Sequence, residues 1–350
     1  MKIKIEDARA AFAVCSYVDS NPISESSQFV RLKVNGSELT MNLTGTLWAE
    51  SKATAVEPGT KWTVFAERCA FKAFLDTVEK PDLELFYKDK LILKSGQRLE
   101  IAPHAIVTGY ETWTPKATFA LADDQKLALK TAVRYLPTVA GSEHVEAVCF
   151  EKSYGIISTD TLCMFAVLGT DLKADFFLPM AIANVLAGND GKIAIDSNGV
   201  GAVIGSGVVY QPLSADLDRY PKDACKGRID EAKKSPILAR VKAQSLLATL
   251  RVASNFLMEN NESAQVEAIK SSLQLTVNMT SGKFQRVVPT VGECKLDTPV
   301  LWPLKKIIPW LEYAVAVKDD IELGLARTPS ATVLRFADAK RVNILLFADQ

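Results

Sequence analysis

Within residues 123–136 three cationic side chains, Lys126, Lys130 and Arg134, recur at i, i+4 and i+8. On an α-helix that spacing lines them along one face, opposite Leu127 and Val133. Such a row can meet phosphates without reading bases, although its ordinary meaning is a solvated face. Residues suited to covalent or metal chemistry are sparse. His104 and His144 are the only histidines, too few for a histidine-rich metal site or a Ser-His-Asp relay. The six cysteines, at 15, 69, 149, 163, 225 and 294, have no paired metal spacing and read as reduced thiols. Four glycines within residues 199–207 lie among alternating Val and Ile, where bulges or strand ends explain them better than a phosphate loop. Asp123-Asp124 and Asp319-Asp320 fall at a helix start and a turn, and are assigned to capping. Nothing here supports an enzyme, a metal site or a cofactor.

The elements that would carry these residues are clearest in residues 62–103. After a short extended piece, Ala70, Phe71, Phe74, Leu75 and Val78 fall at helical spacing within residues 66–78. Lys80-Pro81 stops that helix, because proline pushes the residue before it out of the helical region. Two alternating runs follow, 83–86 and 90–94, joined through Lys88-Asp89, and Ser95-Gly96 turns the chain into 99–101. One amphipathic helix feeding an antiparallel meander is an α+β unit.

That plan returns twice. Residues 175–179, helical 180–187, then 192–195 and 200–209 repeat it, as do 299–301, helical 302–317, then 320–323 and 333–336. A different helix-plus-strands unit precedes each copy, with helices at 6–18, 123–136 and 242–257. The strands after them are 29–34 with 38–43, 147–151 with 155–158, and 265–269 with 273–279. The repeats begin roughly 118 residues apart, a usual domain length. The sequence therefore predicts three domains, 1–115, 116–232 and 233–350, with linkers at 108–118 and 220–236. Asn35-Gly36 reads as a type I′ hairpin turn, and Pro309 should kink or break its helix.

Composition fits this size: 48% hydrophobic and 23% charged residues over 350 describe a globular chain with a proper core. No apolar run reaches the ~20 residues that span a bilayer, and the charged start Met1-Lys2-Ile3-Lys4 is unlike a signal peptide. A cytoplasmic protein without a membrane partner is expected. The formal net charge is zero, distributed as −1, −4 and +5 over the three segments. A conventional basic DNA-binding protein would carry a larger excess.

In this layout the chain resembles the bacterial sliding clamps, the beta subunits of DNA polymerase III. Thr63-Val64-Phe65-Ala66 with the helix after it, and residues 91–99 around Ser95-Gly96, look like the first domain of that family. Phe150-Glu151 and Ser158-Thr159-Asp160 look like the strand pair of its second domain, where the family reads threonine-aspartate-glycine-histidine-arginine. The resemblance implies three repeated α+β clamp domains, each with two helices on antiparallel sheets, assembled into a ring. It implies a processivity factor without catalysis or cofactors, a head-to-tail homodimer around double-stranded DNA.

Site residues follow from the resemblance alone. Arg9, Lys72, Lys126, Lys130, Arg134, Lys242, Arg251, Lys305 and Lys306 are the candidates to face DNA phosphates independently of sequence. A pocket that takes short hydrophobic peptides from the polymerase and the clamp loader would be lined by Thr159, Leu162, Met164, Pro221, Ile344, Leu345, Leu346 and Phe347. Thr161-Leu162-Cys163 stands where the family has glycine, histidine and arginine, so the preferred peptide should differ. The dimer edges would be residues 97–101, with Leu99 and Glu100, and 282–288, with Lys283, Phe284 and Arg286. Glu67, Glu79 and Glu100 are the acids available to meet Lys283 and Arg286. The alternative is a clamp-fold protein that has lost ring closure and serves as a monomeric adaptor or decoy for clamp-binding peptides.

Overall fold

The computed structural model describes residues 1–18, 25–105, 113–138, 143–257, 262–318, 320–338 and 341–348. The first repeat runs β1 (Lys2–Lys4), α1 (Ile5–Cys15), a single turn α2 (Glu25–Gln28), β2 (Phe29–Thr44), β3 (Trp48–Glu67), α3 (Arg68–Thr77), β4 (Asp82–Tyr87), β5 (Leu91–Lys94) and β6 (Arg98–Ile101). The second runs β7 (Ala117–Ala120), α4 (Asp123–Ala132), β8 (Ala147–Glu151), β9 (Gly155–Thr159), β10 (Cys163–Leu168), β11 (Phe176–Pro179), α5 (Met180–Gly188), β12 (Lys192–Ile195), β13 (Gly199–Ile204) and β14 (Gly207–Pro212). A further helix, α6 (Lys222–Lys234), precedes the third. That repeat is β15 (Ile237–Lys242), α7 (Ala243–Ser254), β16 (Ser263–Ile269), β17 (Ser272–Met279), β18 (Gly282–Pro289), β19 (Val300–Pro303), α8 (Leu304–Val317), β20 (Glu322–Arg327), β21 (Ala331–Asp338) and β22 (Arg341–Ala348). The class is α+β, and the strand pairings within its sheets are antiparallel.

The chain packs into two compact units that cut across the repeats. One holds residues 1–120 with 188–213, the other 121–187 with 214–350. In the first unit a single sheet runs β6-β5-β4-β1-β3-β14-β13-β12-β7, with β2 paired to β3. The last strand of the second repeat is thus joined to the first repeat, Tyr210 opposite Trp48 and Gly207 opposite Ser51. In the second unit an eight-stranded sheet runs β11-β8-β9-β10-β22-β21-β20-β15, beside a four-stranded sheet β18-β17-β16-β19. Here the last strand of the third repeat joins the second repeat, from Cys163 opposite Phe347 to Leu168 opposite Val342.

Helix stripes close the cores. In the first unit Ala8, Ala11, Phe12 and Cys15 of α1 and Phe71, Phe74 and Leu75 of α3 are buried, with Phe12 and Phe71 in ring contact at 5.5 Å. In the second, Phe165 of β10 stacks on Tyr135 at 5.6 Å and meets the edge of Tyr313 at 5.5 Å. The Tyr313 hydroxyl and the Asn343 side chain, both buried, share a 2.8 Å hydrogen bond. All six cysteines are free.

Several local expectations are corrected. Asn35-Gly36 is not a hairpin turn. β2 passes straight through it, paired to β3 from Phe29–Glu67 to Thr44–Trp48, and Gly36 (φ +66°) sits at a register shift. A bulge absorbs the sequence that would otherwise turn. Pro309 lies inside an uninterrupted α8, where Ile307, Trp310, Leu311 and Ala314 are buried, so packing of that stripe outweighs one lost backbone bond. On α4 the buried face is Ala128, Leu129 and Ala132, while Leu127 and Val133 are only half-buried. The expected strand 200–209 is a hairpin, β13 to β14. The second linker is not a linker in structure: most of it is α6. Of the first, residues 108–112 lie outside the described residues, as do Asp319, Asp349 and Gln350.

Candidate functional site

The nine candidate cations fall on or beside helices, but most already have partners. Arg9 lies across the end of α3, donating from Nε to the Leu75 carbonyl (2.8 Å) and from Nη2 to that of Val78 (2.6 Å). That is where a helix dipole favours positive charge, so Arg9 has a structural task. Lys72 pairs with Asp76 (2.6 Å), Lys126 with Asp123 (3.7 Å), Arg251 with Glu312 (2.7 Å) and Lys305 with Glu262 (2.5 Å). Lys242 reaches Asp320 at 2.8 Å, and that hydrogen bond raises its pKa. Lys306 turns to Asp160 at 2.5 Å, part-buried. Lys130 and Arg134 are exposed, one helical turn apart, at the end of α4 and in the 3-10 turn after it.

The expected peptide pocket centres on the turn from β9 into β10. Thr159 Oγ1 donates to the Cys163 carbonyl (2.9 Å) and accepts from Thr161 N (3.0 Å), and Asp160 Oδ1 accepts from Leu162 N (3.1 Å) and Cys163 N (2.7 Å). This network holds Thr161 at φ +77°, a conformation that favours glycine and strains a β-branched side chain. Glycine, which the resemblance places at this position, is the residue such a φ suits; the threonine here adopts it.

Beyond the turn, the pocket residues divide between two faces of the sheet. Leu345 and Phe347 point into the helix-covered core, Phe347 against Trp302 at 6.5 Å, and both are buried. Met164, Ile344 and Leu346 belong to another buried cluster, with Cys225, Ile229 and Ala232 of α6. Pro221 is the N-cap of that helix. Leu162 alone is openly exposed, 62%. It lines, with Leu301, Pro303, Phe347, Asp160 and Lys306, a cavity of about 470 Å³ on the other side of the turn. The eight residues therefore do not share one open cavity.

The two expected dimer edges are both terminal strands: β6 ends the sheet of the first unit and β18 ends the four-stranded sheet. Lys283 and Arg286 are exposed, and Phe284 stacks on Phe256 at 4.5 Å. Leu99 is half-buried. Glu100, however, is shared between Arg98 (2.5 Å) and Lys90 (3.4 Å) on its own sheet. Hydrogen bonds from Arg98 and then Lys90 hold its carboxyl below the usual range. Its charge is already matched.

A cluster that the sequence reading did not assemble lies in the first unit. Trp113 stacks on Tyr210 at 4.2 Å and donates Nε1–H to Asp196 Oδ2 (2.5 Å), and with Trp48 they line a cavity of about 420 Å³. Burial pushes the Asp196 carboxyl up, but the amide of Asn198, the Trp113 indole and the amide of Gly199 outweigh it and hold it low. The glycine-rich run is the signal that could have revealed the cluster. A Cβ on Gly199 would lie 2.2 Å from the Tyr210 ring, and one on Gly201 2.9 Å from Trp113. Those glycines make room for two rings: Gly199 opens β13, as a strand-end reading has it, whereas Gly201 lies inside that strand. Among the described residues no three His, Cys, Asp or Glu side chains gather as a metal ion would need, and no helix is long and apolar enough to cross a membrane.

Solved structures share this architecture over the whole chain. A putative DNA polymerase III beta subunit from Eubacterium rectale superposes with a TM-score of 0.82 at 11% identity, covering 100% of this chain and 98% of that one. The DNA polymerase sliding clamp from Bacillus subtilis gives 0.79 at 11% identity, with 100% and 98% coverage. The DNA polymerase III beta subunit from Thermotoga maritima gives 0.77 at 12% identity, again with 100% and 98%. No family model and no curated protein matches the sequence. The chain has the fold of the bacterial sliding clamps.

Proposed function

We propose that this chain is a DNA sliding clamp of the polymerase III beta type, built from three domains at 1–115, 116–232 and 233–350. One observation carries the reading: the same junction is made twice within the chain, and its parts are left over once. β3, in the first half of repeat one, pairs with the last strand of repeat two, and β10, in the first half of repeat two, pairs with the last strand of repeat three. The equivalent strand of repeat three is β18, and the last strand of repeat one is β6; both are sheet edges. An exposed edge presents unpaired N–H and C=O groups that a second copy can complete. Joining β18 of one chain to β6 of the next gives a head-to-tail assembly, which two chains close into a homodimeric ring.

In such a ring the exposed Lys130 and Arg134, with Lys126, supply sequence-independent contacts to duplex DNA. Polymerase and clamp loader are held through hydrophobic peptides at the β10–β22 junction. No catalytic step is assigned. The matched charge of Glu100 favours the second reading, a monomeric adaptor, over a junction steered by charge.

Two measurements test the proposal. Sedimentation at micromolar concentration should give twice the 38.2 kDa chain mass, and Lys283→Glu with Arg286→Glu should lower it. Protein loaded on closed circular DNA should persist and leave once the circle is cut. Equal retention on linear DNA with free ends would overturn the ring, and a monomer that binds clamp-seeking peptides would establish the adaptor.

A further inference from the structure

We propose that α6 is a built-in occupant of the face on which a partner peptide docks, so that peptide binding requires α6 to lift away from β10 and β22. The inference rests on the clamp reading above and adds a gate to its peptide site. Three residues expected to receive a peptide, Met164, Ile344 and Leu346, instead receive Cys225, Ile229 and Ala232 of α6. Those three positions, i, i+4 and i+7, are the whole buried stripe of a 13-residue helix. An amphipathic segment laid on an apolar sheet face is the geometry of peptide recognition, carried out here within one chain.

The helix is held more by its latches than by its own propensity. Gly227 interrupts its middle, and Lys222 stands at the end where the dipole disfavours positive charge. At the N-terminal half, Glu151 of β8 receives Lys226 at 2.5 Å and Lys222 at 3.4 Å. The Tyr154 hydroxyl lies 3.1 Å from the Lys226 carbonyl and 3.0 Å from Asp230 Oδ1. At the C-terminal end the Arg335 guanidinium donates to the carbonyls of Ala232, Lys233 and Ser235 at 2.5, 2.5 and 2.8 Å. A short helix with a narrow apolar stripe and charged latches at both ends opens locally before the sheet beneath it does. When a site is open only a fraction of the time, its apparent affinity is reduced by that fraction.

Linkage supplies the test. In the full-length protein, hydrogen exchange of the α6 amides reads the open population, with the amides of β10 and β22 as internal reference. The probes are two fluorescein-labelled peptides, one spanning residues 221–236 and one hexapeptide ending in two adjacent leucines. The double variant Glu151→Gln, Arg335→Gln should speed α6 exchange on the order of tenfold or more, because charge-assisted bonds are lost at both ends. Affinity for the hexapeptide should rise by the same factor, the 221–236 peptide should gain less because it loses the same latches, and saturating hexapeptide should speed α6 exchange in the wild type. If the latches alone leave α6 seated, Gly227→Pro breaks the helix itself; an added Cβ at Gly227 meets nothing within 4 Å. Faster α6 exchange with unchanged hexapeptide affinity overturns the proposal. So does hexapeptide binding to the wild type that leaves α6 exchange unchanged, which places the peptide site elsewhere and leaves the clamp intact. The clamp reading itself stands or falls on retention by circular DNA, which these variants should not alter.

Discussion

Shortening or weakening the C-terminal strand should unfold the second unit before it reports on partner binding. β22 is not a free tail. It lies between β10 and β21, with Phe347 opposite both Cys163 and Thr332 and Leu346 opposite Met164 and Val333. Phe347 is 1% exposed and Leu346 4%. Truncating a buried Phe to Ala costs about 3–5 kcal/mol and a buried Leu about 2–5. Deleting residues 346–350 removes both side chains and strips ladder bonds worth about 1 kcal/mol each. The sum, on the order of 6–12 kcal/mol, equals the whole stability of an ordinary domain, about 5–15. The milder Phe347→Ala should cost about 3–5 kcal/mol. With a urea slope of about 2 kcal/mol/M, the midpoint of the second unit should fall by about 2 M. Trp302, in contact with Phe347, and Trp310 report on that unit by fluorescence, and hydrogen exchange separates it from the first. A midpoint within 0.3 M of wild type, or amides of β10 and β21 that stay fully protected after deletion, would refute this accounting.

Replacing Lys126, Lys130 and Arg134 together by Ala should leave unfolding unchanged and weaken retention on DNA, lowering the salt slope by up to about 3 if all three meet phosphates. Thr161→Gly should stabilise the second unit by about 1 kcal/mol in urea unfolding, since φ +77° strains threonine and not glycine. The latch at Glu151 should respond to acid. Burial raises its carboxyl pKa, but Lys226, then Ser153 and Lys222, outweigh that and hold it below its ordinary 4.5. A carboxyl lowered in the folded state gives stability that is complete above 4.5 and is lost as pH falls through the folded value. Exchange of α6 amides, corrected for intrinsic rates, should therefore speed up below 4.5 in wild type and change far less in Glu151→Gln.

The repeated α+β plan was legible because each helix carries an apolar stripe and each meander alternates, signals that survive without any alignment. Lys88-Asp89 and Ser95-Gly96 do separate β4, β5 and β6, and Gly96 takes the left-handed conformation (φ +78°) that its turn demands. What failed has one cause. α6 has three buried residues, two of them the small Cys225 and Ala232, and a glycine between, so its periodicity lies below the level at which a helix can be told from a polar linker. Its buried stripe packs against residues of β10 and β22, a long-range contact that no local pattern announces. The same override by tertiary contacts keeps β2 straight through Asn35-Gly36 and α8 whole through Pro309. Chemistry was harder to read than fold for a similar reason. A lysine in sequence carries no sign of its partner: Lys306, a candidate for DNA contact, pairs with Asp160, 146 positions away.

The two junctions inside the chain differ in what covers them, and that difference bears on the third. At β3–β14 the face carrying Trp48 and Tyr210, opposite to buried Ala49 and Val209, is covered by Trp113 from the segment before β7. At β10–β22 the face carrying Met164 and Leu346 is covered by α6, from the segment before β15. In each case the covering residues come from the stretch that leads from one repeat to the next. A junction between β18 and β6 of separate copies has no such stretch, because no chain crosses it. Its faces must therefore tolerate water or be matched by the partner strand alone. β18 fits that condition: Lys283, Gln285 and Arg286 are exposed, and its apolar Val287 is 51% exposed where a neighbour could cover it. In the proposed ring, the β18–β6 junction would thus be the one that no stretch of its own chain closes over, whereas β3–β14 and β10–β22 are each covered by residues from the stretch that joins their repeats.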